Sequence, residues 1–326
     1  MSIYLRQNKI GRVKMLYIGI DLGTSAVKLL LMDGKGQIHK IVSKEYPLYF
    51  PHPSWSEQNP EDWYEQTIKG MQELLEGCDK TEVAGISFGG QMHGLVVLDG
   101  EDQVIRPAIL WNDGRTGKET EYLNETIGKE NLSRYTANIA FAGFTAPKLL
   151  WMRKNEPELF RRIKKIMLPK DYLAYRLSGI HCTDYSDASG TLLLDVKNRC
   201  WSQEMMDICG ISREQLPDLY ESYEAVGMLK PELAELLGLS ARVRIAAGAG
   251  DNAAAAVGTG TVGDNRCNIS LGTIVWDKRN PKGDARGISC QHEYIVVYAK
   301  NKAAFTEKCK MQRPKDVYKR QEQDLP

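Results

Sequence analysis

The chain has 326 residues, 42% hydrophobic and 26% charged, with 43 Lys and Arg against 42 Asp and Glu. That is room for one large or two ordinary globular domains, and a net charge of +1 gives no electrostatic pull toward nucleic acid or an anionic membrane. The apolar runs are too short to span a bilayer, MSIYLRQNKIGRVK has no secretory apolar stretch, and seven scattered cysteines without a CxxC pair point to reduced thiols in a cytosol, with no zinc site and no disulfide framework.

From Tyr17 the text reads YIGIDLGTSAVKLLLMDGKGQIHKIVS. Three apolar runs, separated by a small-residue turn and by Asp33-Gly34-Lys35-Gly36, predict an antiparallel meander. Asn59-Pro60-Glu61-Asp62 then offers an N-cap, a proline at the first helical position and early acidic residues. Trp63, Ile68, Met71, Leu74 and Leu75 follow at roughly helical spacing, so 60–77 is an amphipathic helix. Strands are expected at 83–88 and 95–98, with Asp99-Gly100 as a hairpin turn into 104–110. Helices follow at about 116–127, 145–155, 169–178, 202–209 and 231–238, with short strands at 164–168 and 243–247. A meander followed by mixed helices and strands indicates a mixed α/β sheet. After Gly272-Thr273 charged and polar residues crowd in, and the last stretch of about 25 residues reads as disordered.

Four stretches could carry chemistry. In GIDLGTS at 19–25 an aspartate ends a strand and Gly-Thr-Ser makes the turn to the next. Such a turn can present N–H groups and hydroxyls to an anion, and Asp21 can hold Mg²⁺ through water. It is no Walker A loop, because GxxxxGK[ST] is absent and strand–turn–strand replaces strand–loop–helix; an ordinary hairpin turn is the alternative. GGQMHG at 89–94 follows a strand, and its glycines let ligand or backbone approach closely. A His93 simply bonded to backbone is the competing reading there. WNDGR at 111–115 sets an aromatic beside forked donors and acceptors, which suits a polyhydroxylated ligand, or else caps a helix with Asn112 or Asp113.

The fourth stretch is GAGDNAAAAVGTG at 248–260. Its small residues imply a backbone that something approaches closely, with Asp251 left to act. The loose glycine patterns do not make a dinucleotide fingerprint, since no acidic ribose partner ends a following strand. Asp251 is a helix N-cap or a general base that takes a proton from an attacking hydroxyl.

Read in order, GIDLGTSAVK (19–28), GQMHG (90–94), WNDGR (111–115), GFTAPKLLW (143–151), LPKDYLAYRLSG (168–179), TDYSDASGT (183–191) and GAGDNAAAAVG (248–258) resemble the FGGY carbohydrate kinases. Within them GQMHG is the version typical of xylulokinases. The resemblance runs almost continuously from Met15 to about Thr273 and includes Lys148 and Trp151 at the offsets of a family signature. It implies an α/β, actin-like ATPase (RNase H-like) fold, the first domain essentially complete and the second truncated. Residues 1–14 are then a disordered extension ahead of a start at Met15. Residues 15–260 form the sugar-binding and catalytic domain, 261–274 begin the nucleotide domain, and 275–326 are an atypical tail.

By the same resemblance, Asp251 is the general base toward the C5 hydroxyl of D-xylulose. Met92, His93, Asp251 and Asn252 line the sugar, Gly23, Thr24, Ser25, Gly272 and Thr273 contact the ATP phosphates, and Asp21 faces Mg²⁺. The products are D-xylulose 5-phosphate and ADP. The implied cofactors are ATP and Mg²⁺; the implied partners are D-xylulose and ATP, with no nucleic acid, no membrane and a homodimer as the assembly, in the cytoplasm.

The pattern departs after Gly272-Thr273. WDKRNPKGDARGISCQHEYIVVYAKN at 276–301 resembles part of an adenine-specific DNA methyltransferase, but holds no catalytic motif, so no methylation is inferred. A joined or frame-shifted reading frame accounts for the change. A non-catalytic sugar-binding remnant and another FGGY sugar kinase are the alternatives. An actin-like assembly or chaperone-type ATPase is a third, against which GQMHG and WNDGR argue.

Overall fold

The structure, a computed structural model, describes residues 15–261 and the backbone of two short strands, Asn268–Ser270 and Val296–Tyr298, which pair antiparallel. Expectations for 1–14, for Gly272 and Thr273 and for the tail over 275–326 lie outside the described residues, that strand's backbone apart. The chain divides into two compact units, Met1–Asp251 and Asn252–Pro326.

The first unit is built on a seven-stranded sheet. Leu16–Leu22, Ala26–Asp33 and Ile38–Glu45 form the expected antiparallel meander. In the first of these strands Leu16, Ile18, Ile20 and Leu22 are all buried, which is the period-two pattern of one covered face. Asp33 closes the turn by accepting the Lys35 and Gln37 N–H groups. Asn59 caps the helix Pro60–Leu74 by accepting the Glu61 N–H, and Trp63, Met71 and Leu74 bury its apolar face in the core formed with the sheet.

Val83–Gly90 returns parallel to Leu16–Leu22, as a crossover helix allows. Its other edge pairs, again parallel, with Arg244–Ala246 and Ala249–Gly250, and Ala225–Met228 ends the sheet antiparallel to Arg244–Ala246. The mixed α/β architecture is therefore as the sequence implied. A second apolar core gathers Leu149, Met152, Leu193, Trp201 and Met205 around the helices Thr145–Asn155 and Gln203–Cys209.

Two expectations are corrected. The 95–98 strand forms, as Val96–Leu98, and this stretch meets the following segment antiparallel through the Leu95–Ile109 and Leu98–Val104 bridges and the Ile105 N–H to Val97 carbonyl bond, but its ladder partner is the unexpected Lys165–Met167. Of 104–110, only Ala108–Ile109 is strand, paired with Glu57–Gln58. Asp99 makes the expected turn, accepting the Glu101 and Gln103 N–H groups and folding 104–109 back along 95–98, but a turn does not name the partner on the strand's other edge. The 116–127 helix also runs on, as Gly117–Glu121, a π-helical Tyr122–Gly128 and Lys129–Thr136. Gly128, at φ +95°, is a joint within it.

Candidate active site

Register decides which motifs meet. Asp21 pairs with Gly89, which pairs with Ala249; Leu22 pairs with Gly90, which pairs with Gly250. Three parallel strands from distant parts of the chain therefore end level with one another. Their carboxyl ends deliver the Gly23–Ser25 turn, the Gln91–Gly94 loop and Asp251 to one edge, the usual place for a site in such sheets. Asn252 follows Asp251 in the helix Asp251–Gly258 and begins the second unit. Asp251 is exposed, and it is the first helical residue rather than a cap before the helix.

The turn after Leu22 is braced from outside. Its Gly23 N–H donates to the Ala26 carbonyl at 3.1 Å. The Tyr46 hydroxyl and the Gln91 amide donate to the Gly23 carbonyl, and the Gln58 amide donates to the Thr24 carbonyl at 2.7 Å. Trp111 Nε1 donates to Thr24 Oγ1 at 3.0 Å, while Ser25 is exposed at the tip. Asp21 stands on the strand just before; partial desolvation raises its carboxyl pKa, against the opposing pull of Lys28 across the strand pair. Sequence reasoning missed Gln58 and Tyr46, because neither sits in a pattern that marks a loop thirty residues away.

In the second loop Met92, His93 and Gly94 make a tight turn with His93 at φ +66°. Lys148 Nζ (2.8 Å) and Thr145 Oγ1 (3.1 Å) hold its carbonyl, which offsets the strain of that backbone. The ring stacks on Phe144 with centroids 4.6 Å apart, and Nδ1 lies 2.7 Å from the Gly190 carbonyl. A carbonyl only accepts, so Nδ1 carries the proton. Burial, with help from Lys148, lowers the His93 pKa to about 4 against the Gly190 bond. A neutral ring protonated on Nδ1 leaves Nε2 as an acceptor for a hydroxyl. The backbone-bonded histidine of the competing reading is thus present, and it fixes the tautomer that a sugar would meet.

This neutral histidine has a cost in acid. The folded-state value lies below the ordinary 6.5, so the unfolded chain takes up the proton first, and stability is lost as pH falls from about 6.5 to about 4. The slope from this one group is at most about 1.4 kcal/mol per pH unit. Urea unfolding at pH 7, 6, 5 and 4.5 is expected to show a shallower acid loss in His93→Gln than in the unvaried chain; equal slopes would contradict a buried neutral ring.

The glycines around Asp251 answer to protein, not to ligand. Gly248 sits at φ +76°, in a bulge between Ile245↔Ile86 and Ala249↔Gly89, and a Cβ there would meet the Phe88 carbonyl oxygen at 2.5 Å. A Cβ on Gly250 would meet the Met92 side chain at 3.0 Å. The close approach expected from the sequence is real, but what approaches at these two positions is Phe88 and Met92.

WNDGR divides in the same way. Asp113 is buried and accepts the Ser56 and Arg115 N–H groups and the Arg115 guanidinium. That guanidinium also pairs with Glu57 at 2.7 Å and lies 3.6 Å over Trp55. Asp113 and Arg115 are therefore scaffold, which corrects their expected place against a ligand; the exposed Trp111 remains available. The helix beyond is capped at Thr116, by neither Asn112 nor Asp113.

Two buried lysines behind the loops differ sharply. Lys148 donates to the His93 and Gly143 carbonyls, and burial lowers its pKa to about 7, with Asp113 opposing. Lys170 lies 2.6 Å from Asp171, 2.9 Å from Asp184 and 3.7 Å from Asp187, all buried. Burial would lower it too, but the three carboxylates hold it well above the ordinary value. Among the described residues no cluster of His, Cys, Asp and Glu is arranged to hold a metal ion by itself, and no helix is long and apolar enough to cross a membrane.

Comparison with known proteins bears on this edge of the sheet. Residues 16–258 match the N-terminal domain of the FGGY family of carbohydrate kinases. The xylulose kinase of Escherichia coli K12 is 46% identical over 258 residues, 79% of this chain and 53% of that protein. The xylulose kinase of Bacillus subtilis 168 is 45% identical over 78% of this chain and 52% of its own length. Among solved structures, a xyloylose kinase from Brucella ovis superposes with a TM-score of 0.76 at 44% identity, covering 79% of this chain and 53% of that one. The chain spans about half the length of the curated relatives it matches.

Proposed function

Because the chain belongs to the FGGY family of carbohydrate kinases, we propose that it serves a xylulokinase reaction, transfer of the γ-phosphoryl group of ATP to the C5 hydroxyl of D-xylulose. The observation that carries this reading is the level ending of three parallel strands, which sets Asp21, the Gln91–Gly94 loop and Asp251 at one sheet edge.

In this reading His93 Nε2 accepts a sugar hydroxyl, Met92 packs on the carbon skeleton, and Trp111 offers its exposed ring to the C–H face. Asn252, next to Asp251, adds an amide to the sugar site. Asp251 accepts the C5 hydroxyl proton as that oxygen forms its bond to phosphorus and the bridging P–O bond of ATP breaks. Gly23, Thr24 and Ser25, with Gly272 and Thr273, face the phosphates. The donor set at Asp21, one carboxylate beside two hydroxyls, fits Mg²⁺, which keeps several waters and takes one or two carboxylates plus substrate phosphates. When bound, MgATP supplies the phosphoryl group and the charge neutralisation that such transfer needs. We read 15–260 as the sugar-binding and catalytic domain and 261–274 as the start of a nucleotide domain, in a cytoplasmic homodimer with neither nucleic acid nor membrane as partner.

Sugar binding and turnover are tested separately, since the chain spans about half of its relatives' length. Calorimetry is expected to show D-xylulose binding, and a coupled assay with MgATP to show ADP release that depends on D-xylulose. Binding without ADP release leaves a sugar-binding module and overturns the kinase activity of this chain. Absence of binding overturns both.

A further inference from the structure

The backbone that carries Asp251 is held from both sides. On one side the Ala249–Gly250 strand pairs with Gly89 and Gly90. On the other, the Gly250 N–H donates to Ser186 Oγ at 3.2 Å, and the Gly248 N–H donates to the Ser222 carbonyl at 3.1 Å. Both serines turn their hydroxyls to the same atom: Ser186 Oγ donates to Asp184 Oδ2 at 2.5 Å and Ser222 Oγ donates to it at 2.8 Å. The Ser186 N–H donates there as well, at 2.9 Å. The other oxygen of that carboxylate, Oδ1, faces the Lys170 ammonium at 2.9 Å.

We propose that Asp184 is the positioning residue for Asp251: anchored by the buried Lys170, it fixes through Ser186 and Ser222 the two amides that precede Asp251 and so sets the direction of that carboxylate. The inference rests on the reading of Asp251 as the base at a sugar hydroxyl.

Two bonds give the arrangement its leverage: the N–H of Gly248, in the bulge, and the N–H of Gly250, in the strand, both go to the Ser186 and Ser222 side and not to the Gly89–Gly90 ladder. Two tethers on one edge and a ladder on the other leave the strand end little freedom to twist. A carboxylate one residue beyond inherits that restraint, and a misplacement of about 1 Å at a reacting group costs on the order of 100-fold in rate. Asp184 suits the task because it stays ionised. Burial pushes its carboxyl up, but Lys170 and the serine hydrogen bonds outweigh that and hold it below the ordinary value. An ionised carboxylate accepts every donor offered, which a neutral acid at this place would not. TDYSD at 183–187 thus carries two residues, Asp184 and Ser186, whose spacing of two serves a turn and a tether at once.

Ser186→Ala, with Ser186→Thr as the conservative control, tests the tether in the full chain; Ser186 is half-buried, so neither variant forces a repacking. Hydrogen exchange by mass spectrometry reports on the peptide over 246–251, with no sugar needed. Faster exchange there in S186A, D-xylulose binding in calorimetry weakened about five-fold, as expected for one lost hydrogen bond, and recovery of both in S186T would support the proposal. Unchanged exchange in S186A would overturn the tether. Faster exchange with unchanged affinity, or S186T behaving like S186A, would overturn the positioning role. If the unvaried chain fails to bind D-xylulose, the sugar reading falls and the positioning role with it, whereas a variant that alone behaves as unvaried removes the positioning role and leaves that reading standing.

Discussion

Asp251→Ala is expected to lower D-xylulose-dependent ADP release by about 10² to 10⁴-fold, the usual worth of a general base, with the thermal midpoint nearly unchanged. Asp251 is exposed, begins its helix, and stands level with the turn after Leu22. Its contribution as an acidic side chain in a helix's first turn is small, about 0.3–1 kcal/mol. A large loss of rate without a loss of stability therefore separates catalysis from folding. The effect should fall on kcat more than on KM, because the base acts on the proton in the transition state, while His93, Asn252 and Trp111 continue to hold the sugar in the ground state. Full turnover in the alanine variant would remove Asp251 from the mechanism. An equal collapse of stability and activity would make it scaffold.

How much of this the sequence carried differs by element. The meander, the helix Pro60–Leu74 and the helices Thr145–Asn155 and Pro169–Ser178 follow from local chemistry: period-two burial, an Asn-Pro start, and apolar spacing. Strand partners do not. Val96–Leu98 pairs with Lys165–Met167 across sixty-odd residues, and nothing inside either segment names the other. The site was legible as a set of motifs, while their meeting needed the register Asp21↔Gly89↔Ala249. Residue types also misled where one type serves two ends. Arg115 has the fork that suits a ligand and spends it on Asp113 and Glu57. Gly248 and Gly250 are small to admit Phe88 and Met92. Lys170 and Asp184 lie in two stretches that the family resemblance quoted, LPKDYLAYRLSG and TDYSDASGT, but nothing in either one signals that the two segments close into a single buried ion cluster.

Lys170→Met should be among the most destabilising single changes in the first unit, at about 3–5 kcal/mol in urea unfolding at pH 7, the cost of leaving buried charge uncompensated. The methionine nearly matches the lysine stem in volume, so packing is not the main loss. What disappears is the sole cation that Asp171, Asp184 and Asp187 are shown to share. Burial already raises the Asp187 carboxyl well above its ordinary value, with Lys170 opposing and Asp171, Asp184 and Asp251 adding to the rise. Asp171 is also raised, first by burial. Removing the ammonium pushes every one of them further up. A carboxyl whose folded-state pKa is raised binds more protons folded than unfolded, so its stabilising effect is present at low pH and lost as pH rises. The variant should therefore recover part of its deficit between pH 7 and pH 5, opposite in sign to the effect of His93 on the unvaried chain. Adding Asp184→Asn to Lys170→Met should cost less than adding it to the unvaried chain, because one charge fewer is left without a partner. Stability within about 1 kcal/mol of the unvaried chain at pH 7 would mean that the ammonium does not compensate the cluster, and the anchor for Asp184 would be lost with it.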